Sequence, residues 1–320
     1  YGVNITFLPL NEDIKQVSNY DILDIMELSR GEHIPILTSG KKLICCILEN
    51  NPFDMILPSY TVVPVEIVRD STFMFAHSIN LEMLFGSYMK NISYFVARSS
   101  FTRDILLSFR IPYEIVSTIP YAINLEKFKP RERPEDLEEE LGLKDKKVII
   151  YVGRIDIDRG VKSLLNQFSK YNAEKKDTVL ILVGSSTLNK GLDERYAKEY
   201  SSEYIKFLGR KSWNEIEKYY NLADICINPQ YFPQQFDYSM LEAIASGLPL
   251  ISMNMGGARD FIVNGVNGYL CQSHNEIPKY IEMCFNNKEE MSKRSREWAE
   301  RRFSPEVIGR QMDVVYNKVL

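Results

Sequence analysis

Short, almost unbroken apolar runs recur along this chain, each followed by a stretch of helical spacing. That alternation limits the possible folds more than any other feature. Residues 148–152, 179–183, 205–208 and 225–227 are too short and too uniformly apolar to be amphipathic helices. Strands buried on both faces read this way, and they belong to parallel sheets covered by helices. Residues 160–169 and 214–221 supply helices between them. The first part of the chain shows the same pattern. Strands are expected at 3–8, 54–57, 72–76, 93–97 and 114–119. Two helical stretches follow the first strand, the second at 39–50, and another helix lies at 100–108. The expected fold class is α/β, with two doubly wound, Rossmann-like domains.

With 320 residues, 45% of them apolar and 26% charged, the chain is long enough for two separate cores. Residues 127–147 shift abruptly to Lys-Pro-Arg-Glu-Arg-Pro and Glu-Asp-Leu-Glu-Glu-Glu, the composition of a linker that continues as a short exposed helix. The expected division is a first domain at 1–128, a linker at 129–146 and a second domain at 147–304. A closing amphipathic helix at 305–320 completes the chain. The net charge of −4 argues against a nucleic-acid partner, which usually needs a basic face. No apolar run reaches membrane-spanning length and no signal peptide is evident, so a cytoplasmic location is expected. The chain begins at Tyr1 rather than Met, as a fragment would.

Cys45, Cys46, Cys226, Cys271 and Cys284 show neither disulfide nor zinc spacing, and they read as reduced structural thiols. With only His33, His77 and His274 present, no structural metal is expected.

The stretch 228–268 carries the clearest functional signal. An apolar strand ends in Asn228-Pro229-Gln230, and a polar loop then opens a helix with Met240, Leu241, Ile244 and Ala245 at helical spacing. Gly247 stops that helix, Pro249 follows, and a second strand leads to Gly256-Gly257. The free N–H groups and positive dipole end of the helix suit an anion such as phosphate, with Glu242 within reach. An ordinary βαβ crossover would look similar in isolation.

The wording of this stretch is more specific than its architecture. Pro229-Gln230, the eight-residue step from Gln234 to Glu242, Glu242-Ala243-Ile244-Ala245-Ser246-Gly247-Leu248-Pro249 and Gly256-Gly257 closely resemble the signature of glycosyltransferase family 4. Pro120-Tyr121-Ala122-Ile123-Asn124-Leu125-Glu126-Lys127-Phe128-Lys129-Pro130 resembles the family's interdomain phrase. The resemblance implies a retaining enzyme of the GT-B fold, with two Rossmann-like domains facing a cleft. It is strong over residues 120–320 and patchy before them. The first strand and Gly-rich loop usual in that family do not appear, because 1–3 enters what reads as a later strand. Either that piece lies outside the sequence or the protein has lost it.

Carried over residue by residue, the resemblance implies a site. Arg154, and Arg159 where relatives usually have Lys, would neutralise a leaving diphosphate, for which a guanidinium offers a fixed donor fork. Both could instead be solvated or pair with Asp156 and Asp158. Glu242 matches the second glutamate of the family's Glu-x7-Glu motif and would accept hydrogen bonds from the nucleotide ribose. Phe236, Tyr238 and Ser239 lie at the helix start, and Arg210 closes Phe207-Leu208-Gly209-Arg210, which resembles the segment lying against the nucleotide base. Gly184-Ser185-Ser186 follows a strand where relatives often show Gly-x-Gly. His77 stands where relatives carry a histidine close to the transferred sugar.

Two positions depart from the pattern. Gln234 replaces the first glutamate, removing negative charge from the place where oxocarbenium character develops. Asp237 replaces a glycine, and it either restores a carboxylate near the sugar or caps the helix. The catalytic candidates are therefore His77, Gln234 and Asp237.

The function this implies is transfer of a hexose from a nucleotide diphosphate sugar, UDP- or GDP-linked, to a hydroxyl acceptor such as a glycan, glycolipid or polysaccharide precursor. Neither a cofactor nor a metal is expected. The alternative is a non-catalytic sugar-nucleotide-binding or scaffold relative, suggested by the lost glutamate and Gly-rich loop. Residues 1–128 hold 10 Lys+Arg against 14 Asp+Glu, a net of −4 that disfavours docking to anionic lipid.

Overall fold

The computed structural model describes Ile22–Ile25, Lys42–Ile47 and residues 93–319 apart from positions 109, 234 and 235. The expected strands at 3–8, 54–57 and 72–76 lie outside the described residues. The chain forms two compact units, Tyr1–Pro120 with Ile308–Leu320, and Tyr121–Val307.

Among the described residues the first unit has a parallel sheet of β1 (Ile22–Ile25), β2 (Lys42–Ile47), β3 (Tyr94–Ala97) and β4 (Val116–Thr118), in that order. Helix α1 (Ser100–Ser108) joins β3 to β4. The strand β2 corrects the sequence expectation of a helix over 39–50, and β1 lies between the first expected strand and that region, where helix was also expected. A short apolar run has no period that separates buried strand from buried helix. Parallel pairing on both sides decides the matter here, with Leu43 opposite Leu23 and Cys45 opposite Phe95.

The second unit opens with the crossing chain, an exposed helix α2 (Glu135–Glu140) and β5 (Lys147–Val152). There follow α3 (Val161–Lys175), β6 (Thr178–Val183), α4 (Leu192–Tyr200), β7 (Ile205–Phe207), α5 (Ile216–Leu222) and β8 (Ile225–Asn228). The unit continues through α6 (Tyr238–Ala245), β9 (Leu250–Met253), α7 (Ala258–Phe261), β10 (Gly268–Cys271), α8 (Ile277–Asn286) and α9 (Lys288–Phe303). Its six strands are all parallel, in the order β10-β9-β8-β5-β6-β7. The strand β10 has no counterpart in the sequence expectation.

Successive strand residues point to opposite faces, and the core follows that period. Val148, Ile150, Val179 and Ile181 join one apolar cluster, while Ile149, Tyr151, Leu180 and Leu182 join the other. Each is at most 2% exposed, and burying side chains of this size contributes roughly 1.5–3 kcal/mol apiece. Residues 129–146 belong to this unit, where Phe128 and Leu143 are buried in the first cluster. Arg296 ties the crossing chain down, donating to the carbonyls of Phe128 (2.7 Å), Ala245 (2.8 Å) and Leu125 (3.2 Å).

The last helix, α10 (Pro305–Val319), places Ile308, Val315 and Val319 against Tyr94, Val96 and Ile119 of the first unit. The strand order of the second unit reverses between β5 and β8. Ligands of doubly wound sheets bind outside the carboxyl ends of the strands at such a point.

Candidate functional site

The carboxyl ends of β5 and β8 lead into the two segments that carry the sequence-derived candidates. After β5 the chain turns through Arg154 to a short 3-10 turn, Ile157–Arg159, and then to Gly160 at the start of α3. Gly160 has φ +68°, and a Cβ there would lie 1.9 Å from the carbonyl oxygen of Pro229, just past β8. That close approach is open only to glycine, and it brings the two loops together. Gly184 plays the same part after β6, where a Cβ would lie 1.8 Å from the carbonyl oxygen of Gly153.

Helix α6 is closed at both ends by its own sequence. Asp237 is the N-cap, its carboxylate accepting from Ser239 N (3.0 Å) and Ser239 Oγ (2.6 Å). At the far end Gly247 has φ +79°, Leu248 N bonds Ala243 O (2.9 Å) and Gly247 N bonds Ile244 O (3.0 Å). This is the paired arrangement that satisfies the last carbonyls of a helix.

A network of charges surrounds the start of α6. Arg154 donates from Nη1 to Asp156 (2.5 Å) and from Nη2 to Asp158 (2.9 Å). Pairing with neighbouring aspartates, the alternative weighed for the arginines, is therefore what Arg154 does in this structure. Arg159 is held more loosely: Nη1 lies 3.5 Å from Asp237 Oδ2, and Nε lies 3.5 Å from Asp158 Oδ2. That Nε is buried and makes no hydrogen bond. Asn228 Nδ2 also donates to Asp237 Oδ2 (2.8 Å), so both oxygens of Asp237 are engaged.

Asp156 has no exposed surface. Burial pushes its carboxyl up, but the backbone N–H groups of Asn189, Leu188 and Thr187 and the Thr187 hydroxyl outweigh it, holding the group below its ordinary value. The charge of Asp156 thus orders the loop after β6 as well as Arg154.

Glu242 lies one turn inside α6, beside Tyr220 of α5, whose hydroxyl donates to Glu242 Oε2 (2.8 Å) and lies 3.2 Å from Ser239 O. Burial raises the Glu242 carboxyl to about 7. The Tyr220 hydrogen bond opposes that rise, the Asp237 charge adds to it, and Lys127 opposes it. Tyr220 is fully buried, and its phenol is pushed well above the ordinary value by burial and then by Glu242.

The remaining candidates fall in distinct places. Ser239 is half-buried at the α6 start, and Tyr238 next to it is 40% exposed, with its ring 5.0 Å from that of Tyr121. Phe236 is buried, its ring packed edge-on against Tyr121 and Phe261, so its side chain is an anchor for the loop. Arg210 is exposed on the loop after β7 and makes no ion pair among the described residues. His77 and Gln234 lie outside the described residues. Tyr220 was not a sequence candidate, because the Tyr219-Tyr220 pair gives no local sign of which ring meets Glu242.

Among the described residues no group of three or more His, Cys, Asp or Glu side chains is placed to hold a metal ion. Among the same residues no helix is long and apolar enough to cross a membrane.

Known proteins resemble this chain in fold and, over part of its length, in sequence. The Anabaena Alr3699/HepE protein, solved in complex with UDP, superposes with a TM-score of 0.75 at 17% identity, over 95% of this chain and 80% of that one. A glycosyltransferase from Rickettsia africae ESF-5 gives 0.75 at 19% identity, over 96% and 78%. These likenesses show the fold, α/β units with parallel sheets of the GT-B class. In sequence the chain is 25% identical over 219 residues to spore coat protein SA of Bacillus subtilis, covering 63% of this chain and 58% of that protein. It is 29% identical over 169 residues to lipopolysaccharide 1,2-N-acetylglucosaminetransferase of Salmonella typhimurium, covering 50% and 44%. The matched stretch spans about half the length of these curated relatives. Residues 132–302, more than half of the chain, match the profile of the glycosyl transferases group 1, and the chain belongs to that family.

Proposed function

We propose that this chain is a retaining glycosyltransferase that moves a hexose from a nucleoside diphosphate sugar to a hydroxyl of an acceptor glycan, glycolipid or polysaccharide precursor. The contact of Arg159 with Asp237, the N-cap of α6, carries it. It places a guanidinium at the mouth of a helix that opens at the strand-order reversal, where phosphate is favoured by position, dipole and charge together. Glu242 on the same helix is the acceptor for ribose hydroxyls.

In the proposed reaction the bond between the anomeric carbon and the diphosphate oxygen breaks, and the electron pair leaves with the diphosphate. The acceptor oxygen bonds to that carbon, and its proton passes to the departing diphosphate oxygen. Arg154, Arg159 and the positive end of the α6 dipole stabilise the departing charge, which this reading accounts for without a metal. His77 and Gln234 contact the sugar, with Gln234 supplying an amide where relatives supply a carboxylate. UDP is the first choice of carrier, since the HepE structure holds it.

The test is thermal unfolding with UDP, GDP, ADP and TDP and their hexose conjugates, on wild type and Arg154→Ala. A ligand at ~100 times its dissociation constant adds roughly 2.7 kcal/mol. One nucleotide should stabilise the wild type and fail on the variant. If none does, the donor site is dead and the non-catalytic alternative replaces this one. If a nucleotide binds but no sugar is transferred or hydrolysed, the chain is a binding module.

A further inference from the structure

A second concave surface lies at the opposite edge of the six-stranded sheet. Within the second unit, the residues just before β8 and β9, the crossing chain and the first half of α9 line a cleft of about 450 Å³. That volume is in the range of small-molecule sites. The sequence-derived candidates follow the carboxyl ends of the strands, and none of them lines this cleft.

The cleft is basic. Arg131 and Arg133 of the crossing chain and Lys288, Lys293 and Arg296 of α9 line it, against two carboxylates, Asp224 and Glu297. Five cations against two anions leave an excess of three positive charges, in a chain whose net charge is −4.

Internal pairing engages only part of that charge. Asp224 is 4% exposed, and its carboxylate accepts from Arg133 (2.7 Å), Lys288 and Val148 N (2.8 Å). Arg296 is committed to three carbonyls and to Glu300 (2.6 Å), while Glu297 pairs with Arg294 (3.0 Å). Arg131 donates to the carbonyls of Glu126 and Lys127 and makes no ion pair among the described residues. Lys293 is exposed and makes neither an ion pair nor a hydrogen bond among them.

An independent sign comes from a neutral side chain. Ser246, the C-cap of α6, also lines the cleft; it is 4% exposed, and its Oγ is buried without a hydrogen-bond partner. A buried hydroxyl left unmet is costly, and rotation about one bond turns a serine hydroxyl toward a bound anion.

We propose that this cleft binds a small phosphate-bearing molecule, gripped by Arg131, Lys288 and Lys293 with Ser246 as a hydroxyl donor. A phosphate ester carries about two negative charges near neutrality and three strong acceptor oxygens, which suits two cations without ion pairs and one unmet hydroxyl. Pro130 and Leu248 give the cleft an apolar wall for the body of the molecule. The site stands apart from the donor edge and does not depend on the donor reading.

The experiment is calorimetric titration of the full chain with inorganic pyrophosphate in wild type, Lys293→Glu, Ser246→Ala, Arg154→Ala and Lys198→Glu. Lys198 is an exposed lysine of α4, remote in sequence from the cleft, and it controls for general charge. Saturable binding should survive in Arg154→Ala and Lys198→Glu. Lys293→Glu should weaken it about tenfold or more at an unchanged melting temperature, since the lysine holds nothing in the fold. Ser246→Ala should weaken it roughly threefold without lowering the melting temperature, because no native hydrogen bond is lost. Absence of saturable binding would overturn the proposal. So would binding that Arg154→Ala abolishes, which would place the anion at the donor edge, or binding that Lys198→Glu weakens as much as Lys293→Glu. Flotation with vesicles containing phosphatidic acid distinguishes the source of the phosphate. Flotation that Lys293→Glu abolishes, with no binding of free pyrophosphate, would replace the small molecule by a membrane surface.

Discussion

Tyr220 donates its phenolic hydrogen to Glu242 Oε2 at 2.8 Å from a position with no solvent exposure. The same hydroxyl lies 3.2 Å from Ser239 O, so one buried group fixes both the second turn of α6 and the helix start. It partly offsets a rise that burial imposes on Glu242, whose carboxyl titrates at about 7. The proposed ribose acceptor is thus poised near neutrality.

Glu242→Gln separates stability from binding. The folded-state value of about 7 lies above the ordinary 4.5, so the native chain holds more protons between them and stability falls as pH rises through that window. The glutamine variant lacks this cost. It should be more stable than wild type at about pH 8 by up to ~3 kcal/mol, with the gap closing below about pH 5. UDP binding should move the other way: in wild type it weakens below about pH 7 as the carboxylate is protonated, and in the variant it is weak and pH-independent. Urea unfolding and UDP titration across that range check both.

Tyr220→Phe should shift that midpoint upward. Removing the hydroxyl deletes the hydrogen bond that favours the ionised carboxylate, leaving burial less opposed. The ring still packs against Phe128, whose centroid lies 6.2 Å away. The expected stability loss is about 1 kcal/mol. The pH midpoint of UDP binding should rise, and an unchanged midpoint would mean that Tyr220 does not tune Glu242.

Gly160→Ala should cost about 2–4 kcal/mol, because its Cβ would meet the Pro229 carbonyl oxygen at 1.9 Å and φ is +68°. Gly142 supplies the control. Its φ of +61° is similar but nothing lies within 4 Å of a Cβ, so Gly142→Ala should cost only about 1 kcal/mol. Urea midpoints of the two variants report the difference directly.

Asp156→Asn should destabilise by about 3 kcal/mol or more, since an amide cannot accept from the N–H groups of Thr187, Leu188 and Asn189 and also pair with Arg154. The folded-state value of Asp156 is depressed, so its contribution is present above the ordinary 3.8 and lost as pH falls through the lower value. Acid unfolding of the variant should accordingly begin from a lower plateau and depend less on pH below about 4.

Arg296→Ala should loosen the crossing chain. The guanidinium bridges the carbonyls of Leu125, Phe128 and Ala245, and its loss orphans three acceptors, costing ~2–3 kcal/mol. Proteolysis near residues 125–131 should accelerate well before global unfolding.

The sequence by itself determined the parts whose causes are local. Residues 148–152 and 179–183 are strands because short, continuous apolar runs rich in Val and Ile and bounded by helical spacing have few alternatives. Helix α6 begins at Asp237 and stops at Gly247 because a cap and a left-handed glycine act within one turn. The cations and carboxylates at the sheet edge were also legible, since residues that follow strands of a doubly wound sheet gather at one end.

Only the tertiary structure decided how those parts pair. Residues 42–47 are a strand because β1 and β3 lie on either side, a fact that their own spacing does not carry. Phe236 serves the core because Tyr121 and Phe261 close around it, and Arg154 is clamped while Arg159 keeps an unmet N–H. Tyr220 meets Glu242 across 22 residues through the packing of α5 against α6. Periodicity and capping reach about one turn along the chain, whereas burial, charge pairing and the titration of Glu242 depend on neighbours that only the packed sheet and its helices bring together.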